Sequence, residues 1–248
     1  MKKIYLAALT LAMTACVSND DLNPVDNYGY IDVNVSNDPI MVTRAGGPSW
    51  LISATKDASS YTGIVSGANK VPSGTYVITA KSHNSIDDAN TLNTYGEPYF
   101  EGVSVATEVS AGESVDIVIP CGQAKNSKLT LVNELNTLVF SDVKLNATNS
   151  NRQLSLSDEN PSAFYSTETQ VSYNISYNYN GSKTETVIKN DDGQDYTITI
   201  AEAAKDYQIK LTSTDNGNIT VSVTYNSEFN TIESKEFTVD AATGDVVK

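Results

Sequence analysis

Residues 30–35, with the sequence YIDVNV, decide the fold class because polar and apolar side chains alternate there without interruption. The odd positions are Ile, Val and Val, and the even positions are Tyr, Asp and Asn. An extended chain places successive side chains on opposite faces, so this period of two predicts a β-strand with one buried face. Similar runs, rich in β-branched and aromatic residues, predict further strands along the chain. They lie at residues 76–80, 99–105, 115–119, 128–132, 138–145, 171–177, 184–188, 196–200, 207–211, 219–225 and 235–239.

Short turns separate these strands and favour antiparallel connections between them. Residues 72–74 read PSG, and the Asn-Gly pairs at 180–181 and 216–217 are strong hairpin signals. One short stretch, residues 200–205, is a candidate for a single helical turn. Many short strands with turns roughly every 8–12 residues predict an all-β chain of antiparallel sandwiches.

The length of the chain fits two domains better than one. A chain of 248 residues, without the 15-residue export signal described below, accommodates two domains of about 100–150 residues each. The sequence PCGQA at residues 120–124 interrupts the strand pattern near the middle. We therefore predict one sandwich at residues 28–120 and a second at residues 125–248.

The composition argues against several classes of function. Lys and Arg number 16 against 30 Asp and Glu, for a net charge of −14, so a nucleic-acid partner is excluded. The one His, His83, lies in the sequence KSHNS and is predicted to be a solvated loop residue. No second His or Cys accompanies it, which argues against zinc. Residues 191–195, DDGQD, lack the terminal Glu of a calcium loop and favour an acidic turn. We predict a non-enzymatic protein with no catalytic residue, no bound metal and no cofactor.

The first 16 residues carry the features of an export signal. Two lysines at positions 2 and 3 precede an apolar run at residues 4–12, which is too short to span a bilayer. The sequence MTAC at residues 13–16 resembles the lipobox of bacterial lipoproteins, in which the Cys is acylated and the preceding bond is cut. We predict a signal peptide at residues 1–15 and a lipidated tether at residues 16–27, with lipid such as palmitate on Cys16. The alternative is an ordinary secretory signal with a coincidental Cys.

The residues after Cys16 refine the predicted location. The sequence SNDD at residues 18–21 resembles the export tag of surface lipoproteins in Bacteroidota-type bacteria, and it predicts display on the outer membrane. The alternative is an acidic, solvated linker. If Cys16 carries lipid, Cys121 has no partner for an internal disulfide and is predicted to be buried and inert.

The order of several short motifs resembles that of fimbrillin-like surface lipoproteins. This resemblance covers nearly all of the chain after the leader, and it implies two transthyretin-like β-sandwiches in tandem. It also implies a role in cell adhesion as a subunit, tip or anchor of type V pili. The implied partners are other fimbrial subunits, the outer membrane through the lipid, and surface ligands on host or bacterial cells. The motifs are VTRA at 42–45, PSGTYVITA at 72–80, YFEG at 99–102, AGE at 111–113, CGQAKNSK at 121–128 and SAFY at 162–165.

The resemblance also implies a mechanism of strand exchange. In such pili a protease cuts after an Arg and frees an N-terminal strand, and the open groove accepts a strand from another subunit. Arg44, followed by Ala45 and a Gly-Gly pair, is the candidate site for this cut. The alternative is a solvated loop Arg that is never cut. Residues 236–239 are a candidate donor or edge strand, with a plain final sandwich strand as the alternative.

A glycan-binding lipoprotein of a polysaccharide-uptake system is the alternative function. Sugars stack on exposed aromatic rings, and Tyr173, Tyr177 and Tyr179 share one face of a predicted strand. An exposed stripe of these rings is the candidate stacking site. Packing of the same rings into the core is the competing interpretation. Trp50 has apolar neighbours and is predicted to be buried.

Overall fold

The computed structural model describes residues 27–36, 49–150, 152–179, 186–190, 192–213, 219–225, 230–239 and 246–247. These residues form strands and one short helix, α1 (Ile86–Thr91). The strands are β1 (Tyr28–Ser36), β2 (Leu51–Lys56), β3 (Ser59–Tyr61), β4 (Gly67–Pro72), β5 (Gly74–Lys81), β6 (Glu101–Val103), β7 (Thr107–Val109), β8 (Ser114–Pro120), β9 (Asn126–Glu134), β10 (Phe140–Asn149), β11 (Arg152–Leu156), β12 (Ser162–Ser166), β13 (Thr169–Tyr179), β14 (Thr186–Ile188), β15 (Tyr196–Ile200), β16 (Asp206–Ser213), β17 (Ile219–Tyr225), β18 (Asn230–Val239) and β19 (Val246–Val247).

The first half of the chain is a sandwich of two sheets around one core. One sheet has the order β4-β1-β8, and the other has the order β3-β2-β5-β6, with β7 also paired to β5. Both sheets contribute to the same buried cluster, for example Ile31 and Ile117 from the first and Tyr76 and Ile78 from the second. Their inward residues alternate with exposed ones, as the period of two predicts.

The second half repeats this plan with longer strands. One sheet has the order β11-β10-β13-β14, with β15 also paired to β13, and the other has the order β12-β9-β16-β17-β18-β19. Leu145 and Ile175 of one sheet share a buried cluster with Leu129 and Ile209 of the other. The prediction of an all-β chain built as tandem β-sandwiches is therefore confirmed.

Two strand pairs in these sheets are parallel. β1 runs parallel to β8, and β9 runs parallel to β16, whereas the other strand pairs described are antiparallel. Parallel neighbours need a long connection between them, and each of these pairs joins segments far apart in sequence. Turn signals report only the neighbouring strand, so they predicted the antiparallel hairpins and missed both parallel pairs.

The helix lies elsewhere than the sequence pattern suggested. Residues 200–205 contain no helix; the Tyr207 hydroxyl accepts hydrogen bonds from the amides of Ala201 and Glu202 at 2.8 and 3.0 Å. The helix forms instead at Ile86–Thr91, where the Ser85 hydroxyl accepts from the Asp88 amide at 3.1 Å. A serine cap with acidic residues in the first turn is a standard helix start.

The segment between the sandwiches is part of the packed structure. Cys121 is fully buried, and burial raises the pKa of its thiol, so the expected inert state fits the structure. Ala124 forms an isolated β-bridge with Phe100. Tyr95 packs against the core of the second sandwich, and Ala204 packs against the core of the first. The division into domains at residues 120–125 stays a prediction.

Several predicted features lie outside the described residues. They include the leader, the tether with Cys16, the acidic tag and the segment with Arg44 and Ala45. The two predicted Asn-Gly turns also lie outside the described ranges. No helix in the described part of the chain has the length and apolar character to cross a bilayer.

Candidate functional site

The most distinctive site in the first sandwich is the slot that β1 occupies. β1 is the middle strand of its sheet, with β4 on one side and β8 on the other. It pairs antiparallel with β4 from Tyr28 opposite Pro72 to Val33 opposite Gly67. It pairs parallel with β8 from Tyr30 beside Ser114 to Ser36 beside Pro120. A single strand, the first in the described part of the chain, therefore connects two strands that would otherwise be separate.

The inward face of β1 belongs to the core. Ile31 and Val33 are both 0% exposed, and Val35 is partly buried against the same cluster. On the outward face, Tyr28 and Tyr30 are 42% and 47% exposed. The alternation predicted for residues 30–35 is confirmed, with the innermost burial at Ile31 and Val33.

Backbone hydrogen bonds anchor both ends of β1. Near its start, the Tyr30 amide donates to the Glu113 carbonyl at 2.7 Å, and the Gly112 amide donates to the Tyr28 carbonyl at 2.8 Å. At its end, the Cys121 amide donates to the Ser36 carbonyl at 2.9 Å. These bonds satisfy backbone groups that would face solvent as sheet edges if β1 were absent.

Gly29 allows β1 to approach β7 and the turn before β8. A Cβ atom at this position would lie 2.5 Å from the Ser110 carbonyl oxygen and 2.6 Å from Val109 Cγ1. Contacts of this length are steric clashes, so the slot accepts only glycine here without rearrangement. Sequence analysis did not single out Gly29, because the close approach depends on a strand far away in sequence.

Asn69 on β4 uses its side chain to hold the chain turn just before this strand, next to the slot. Its side-chain amide donates to the carbonyls of Gly67 and Val65 at 2.6 and 2.8 Å, and its Oδ1 accepts from the Val65 amide at 2.9 Å. Asn69 is 8% exposed, and its Nδ2 also lies 3.5 Å from the Ile31 carbonyl. This buried amide holds the chain turn that leads into β4.

Tyr76 on β5 is fully buried and belongs to the same core cluster as Ile31 and Val33 of β1. Its hydroxyl donates to the Pro72 carbonyl at 2.6 Å, and its ring meets the Tyr61 ring edge-on at 5.4 Å between centroids. Burial, with smaller effects from Tyr61 and Asp57, raises the pKa of Tyr76 to about 12. The phenol therefore remains neutral over the ordinary pH range.

A positive charge lies near the outer face of the slot. The Lys70 ammonium sits 5.2 Å from the centroid of the Tyr28 ring, a cation–π contact between β4 and β1. Opposite Asn34 on β8, Val118 is 57% exposed. The outward face of this sheet thus combines aromatic, charged and apolar groups.

The candidate sugar-stacking tyrosines are not exposed, so the stacking site is contradicted and the competing interpretation, packing into the core, is confirmed. Tyr173, Tyr177 and Tyr179 are 2%, 0% and 7% exposed and belong to the core of the second sandwich. The ring of Tyr173 stacks on Tyr196, and the rings of Tyr177 and Tyr179 contact Phe140 edge-on, each at 5.4 Å. They lie on the same face of β13 as Val171 and Ile175. These apolar neighbours at alternate positions were the sequence signal that favoured burial.

His83 also differs from its predicted state. Its side chain is only 17% exposed, and its Nδ1 lies 2.9 Å from the Ser82 hydroxyl oxygen. Its Nε2 lies 3.9 Å from a carboxylate oxygen of Glu97. The Ser82 hydroxyl also accepts from the Phe100 amide at 2.9 Å, so these groups connect the end of β5 to the chain before β6.

The other predicted site residues need only brief mention. Trp50 is partly rather than fully buried and packs edge-on against Phe100 with 6.5 Å between centroids. Cys16, Arg44 and Ala45 lie outside the described residues. Within the described ranges, no three His, Cys, Asp or Glu side chains come together in a group that would hold a metal ion.

Comparison with protein families shows the family to which the chain belongs. The family described as "Domain of unknown function (DUF4493)" matches residues 49–241, which is most of the chain, and the protein belongs to this family. The matched range begins just before β2, so β1 precedes it. None of the curated proteins compared with the sequence matches it.

Solved structures with a similar chain path include three fimbrial proteins. The tip fimbrial protein Mfa3 of Porphyromonas gingivalis, in a C-terminally truncated form, is 10% identical, with a TM-score of 0.41 over 80% of this chain and 99% of that one. A fimbrial assembly protein of Parabacteroides distasonis is 10% identical, with a TM-score of 0.40 over 84% and 98%. The fimbrial anchor protein Mfa2 of P. gingivalis is 13% identical, with a TM-score of 0.38 over 84% and 100%. TM-scores below 0.5 do not establish a shared function.

Proposed function

We propose that this protein is a surface-exposed lipoprotein that acts as a fimbrial subunit, tip or anchor in cell adhesion and assembles by strand addition. The observation that carries the proposal is the position of β1, the first strand of the described chain, which fills a slot between β4 and β8. The order of short sequence motifs that resembles fimbrillin-like lipoproteins supports the same role. The role is structural and adhesive, and it requires no catalytic residue or cofactor.

The slot has the physical properties that strand addition needs. Without β1, β4 and β8 would each present unpaired amides and carbonyls, and Val71 and Ile117 would lose cover over the core. Burial of Ile31 and Val33 is worth about 1.5–3 kcal/mol each, an upper estimate. A strand from another copy would recover this free energy if it ran in the direction of β1 and carried apolar residues at alternate positions.

The segment after β1 determines which of the roles is possible. A cut between Arg44 and Ala45 would separate both Cys16 and β1 from the two sandwiches. The remaining body would have an open slot and would be a polymerising subunit. An uncut chain would keep its lipid and its own β1, and would act as an outer-membrane anchor or stand-alone adhesin. Lipid on Cys16 and display on the cell surface belong to this proposal.

The decisive experiment compares fragments that begin at Tyr28 and at Ala45. The longer fragment should be monomeric by size-exclusion chromatography with light scattering, because its slot is filled. The shorter fragment should form oligomers or melt at a lower temperature. A synthetic peptide of residues 28–36 added in trans should restore the monomer and the melting temperature. A control peptide with Ile31→Asp and Val33→Asp should not. A shorter fragment that is monomeric and melts like the longer one would rule out strand exchange.

The anchor can be tested in the cell that makes the protein. Wild-type protein should incorporate labelled fatty acid, and Cys16→Ser should accumulate as an unlabelled precursor. N-terminal sequencing and intact mass of the surface protein would then show whether the chain begins at Cys16 or at Ala45. Equal acyl labelling of both proteins would contradict lipidation at Cys16 and leave the strand-exchange test unaffected.

A further inference from the structure

A folded segment of the first sandwich lies across the second sandwich. Residues 85–97, here called the strap, contain α1 and the turn after it. The strap folds back on itself, with the Gly96 amide donating to the Leu92 carbonyl at 2.7 Å and the Glu97 amide donating to the Ala89 carbonyl at 2.8 Å. Thr94 in this turn has φ of +72°, an uncommon conformation for a β-branched residue, and such conformations persist only when surrounding contacts hold them.

The strap closes the free edge of β12. Phe164, the middle residue of β12, donates its amide to the Tyr95 carbonyl at 2.9 Å. Its own carbonyl accepts a hydrogen bond from the Arg152 guanidinium. An edge strand with free amides and carbonyls is a template for pairing with another chain. At Phe164 both groups are already taken.

Arg152 connects this edge to the strap. Its guanidinium donates to the carbonyls of Asn90 and Thr94 in the strap, the latter at 3.3 Å, as well as to Phe164. It also lies 4.4 Å from the centroid of the buried Tyr165 ring. A planar guanidinium holds five N–H donors in a fixed fork and can reach several carbonyls while it stacks flat on an aromatic ring, whereas the compact ammonium of Lys has three donors and no flat face.

A buried pair of asparagines supports the same contact from the other side. Asn126, 0% exposed at the start of β9, donates to Asn90 Oδ1 at 2.8 Å and to the Glu97 carbonyl at 2.9 Å. Asn90, 8% exposed, donates in turn to the Ser166 hydroxyl at the end of β12, at 2.9 Å. Buried polar groups satisfied in this way specify one arrangement, because a shift would leave them without partners.

We infer that the strap and Arg152 form a lock that joins the two sandwiches into one cooperative unit and closes the β12 edge against strand addition. Arg152 is a positioning residue, because it acts by holding the strap on β12. If the chain is a fimbrial protein, the lock keeps pairing at the β12 edge from competing with strand exchange at the β1 slot. Its existence does not depend on that role.

The test uses the protein from residue 16 onwards, with Cys16→Ser so that no lipid is attached, and compares it with the Arg152→Met variant. Methionine has a side chain of similar reach but lacks the guanidinium and its N–H donors. The amide of Phe164 should exchange with deuterium at least about tenfold faster, and calorimetry should resolve two unfolding transitions in place of one. Lys144→Met, a change at an exposed lysine on β10, is the matched control and should alter neither measurement.

Arg152→Lys provides the second variant if Arg152→Met does not fold. A lysine keeps the charge but reaches fewer carbonyls, so exchange at Phe164 should still be faster than in the wild type. Unchanged exchange at Phe164 in a folded Arg152 variant would overturn the lock. Two resolved transitions already present in the wild type would overturn it equally.

Discussion

The two sandwiches share a plan but differ in how their parallel strand pairs are held. In the first sandwich, β1 lies parallel to β8 and comes from the very start of the described chain. In the second, β9 lies parallel to β16, and both strands continue into other strands of the same sandwich. A single cut after β1 would release one member of the first pair. In the second pair, β16 has strands of its own sandwich on both sides, and a cut after β9 would leave β9 attached to the folded first sandwich, so neither strand would be free to leave.

This difference teaches where exchange can occur in the molecule. Both sandwiches bury apolar residues fully, for example Val33 on β1 and Val171 on β13. What differs is the number of covalent connections that hold the buried strand in place. The first sandwich combines a full core with a strand tethered to the body at one end, which is the arrangement that favours replacement of that strand.

The largest expected effect comes from a charge placed in each core. Val33→Asp should expel β1, because an unpaired buried carboxylate costs on the order of 3–5 kcal/mol, while the second sandwich keeps its tertiary structure. Val171→Asp should instead unfold both sandwiches together, because β13 cannot leave its sandwich alone and the strap and Arg152 couple the two sandwiches. Hydrogen exchange across the chain would locate each effect. Global unfolding by Val33→Asp with no loosening specific to the first sandwich would contradict the contrast between them.

A smaller effect is expected from Gly29→Ala. The added Cβ would clash with Ser110 and Val109, and overpacking of this kind costs about 1–3 kcal/mol. The loss should appear as a lower unfolding midpoint in urea and as faster exchange within β1. Asn34→Ala, at an exposed position on the same strand, should change stability by about 0.5 kcal/mol or less. Equal effects of the two changes would mean that β1 does not sit tightly against β7.

The stability of the first sandwich should depend on alkaline pH through Tyr76, which lies in its core. Its pKa is raised to about 12 in the folded protein, whereas an unfolded tyrosine has a pKa near 10. The stability that follows from the raised pKa is fully present below pH 10 and is lost as the pH rises towards 12. Urea midpoints measured between pH 9 and 12 should fall less steeply for Tyr76→Phe than for the wild type. If the urea midpoints of the two proteins fell equally steeply with pH, Tyr76 would not be the source of the loss of stability.

The smallest effect concerns redox conditions. Cys121 is free and buried, and a fragment from Tyr28 onwards contains no second Cys. Reducing agent should therefore leave its melting temperature unchanged. A fall of more than a few degrees, about 1 kcal/mol for domains of this size, would indicate an intermolecular disulfide through Cys121.

Sequence periodicity predicted the strands well because the signal is local. Side chains two residues apart share a face whatever the strand pairs with, so residues 30–35 predict both a strand and its buried face. The same rule places Tyr173, Tyr177 and Tyr179 on one strand face with Val171 and Ile175, and it left both an exposed stripe and core packing open. Their burial was decided by the second sheet that packs on this face, which a local pattern does not report.

The sequence by itself determined that the chain is all β, which face of β1 is buried and that Cys121 is buried. It also predicts a lipid on Cys16, and by resemblance it makes Arg44 a candidate site for a cut; neither has been tested. Only the tertiary structure decided that β1 pairs in parallel with β8, that Gly29 is sterically required and that Arg152 joins the strap to β12. Each of these facts is a contact between residues far apart in sequence. Such contacts depend on how the strands pair and pack, and a local pattern of side chains carries no information about a distant partner.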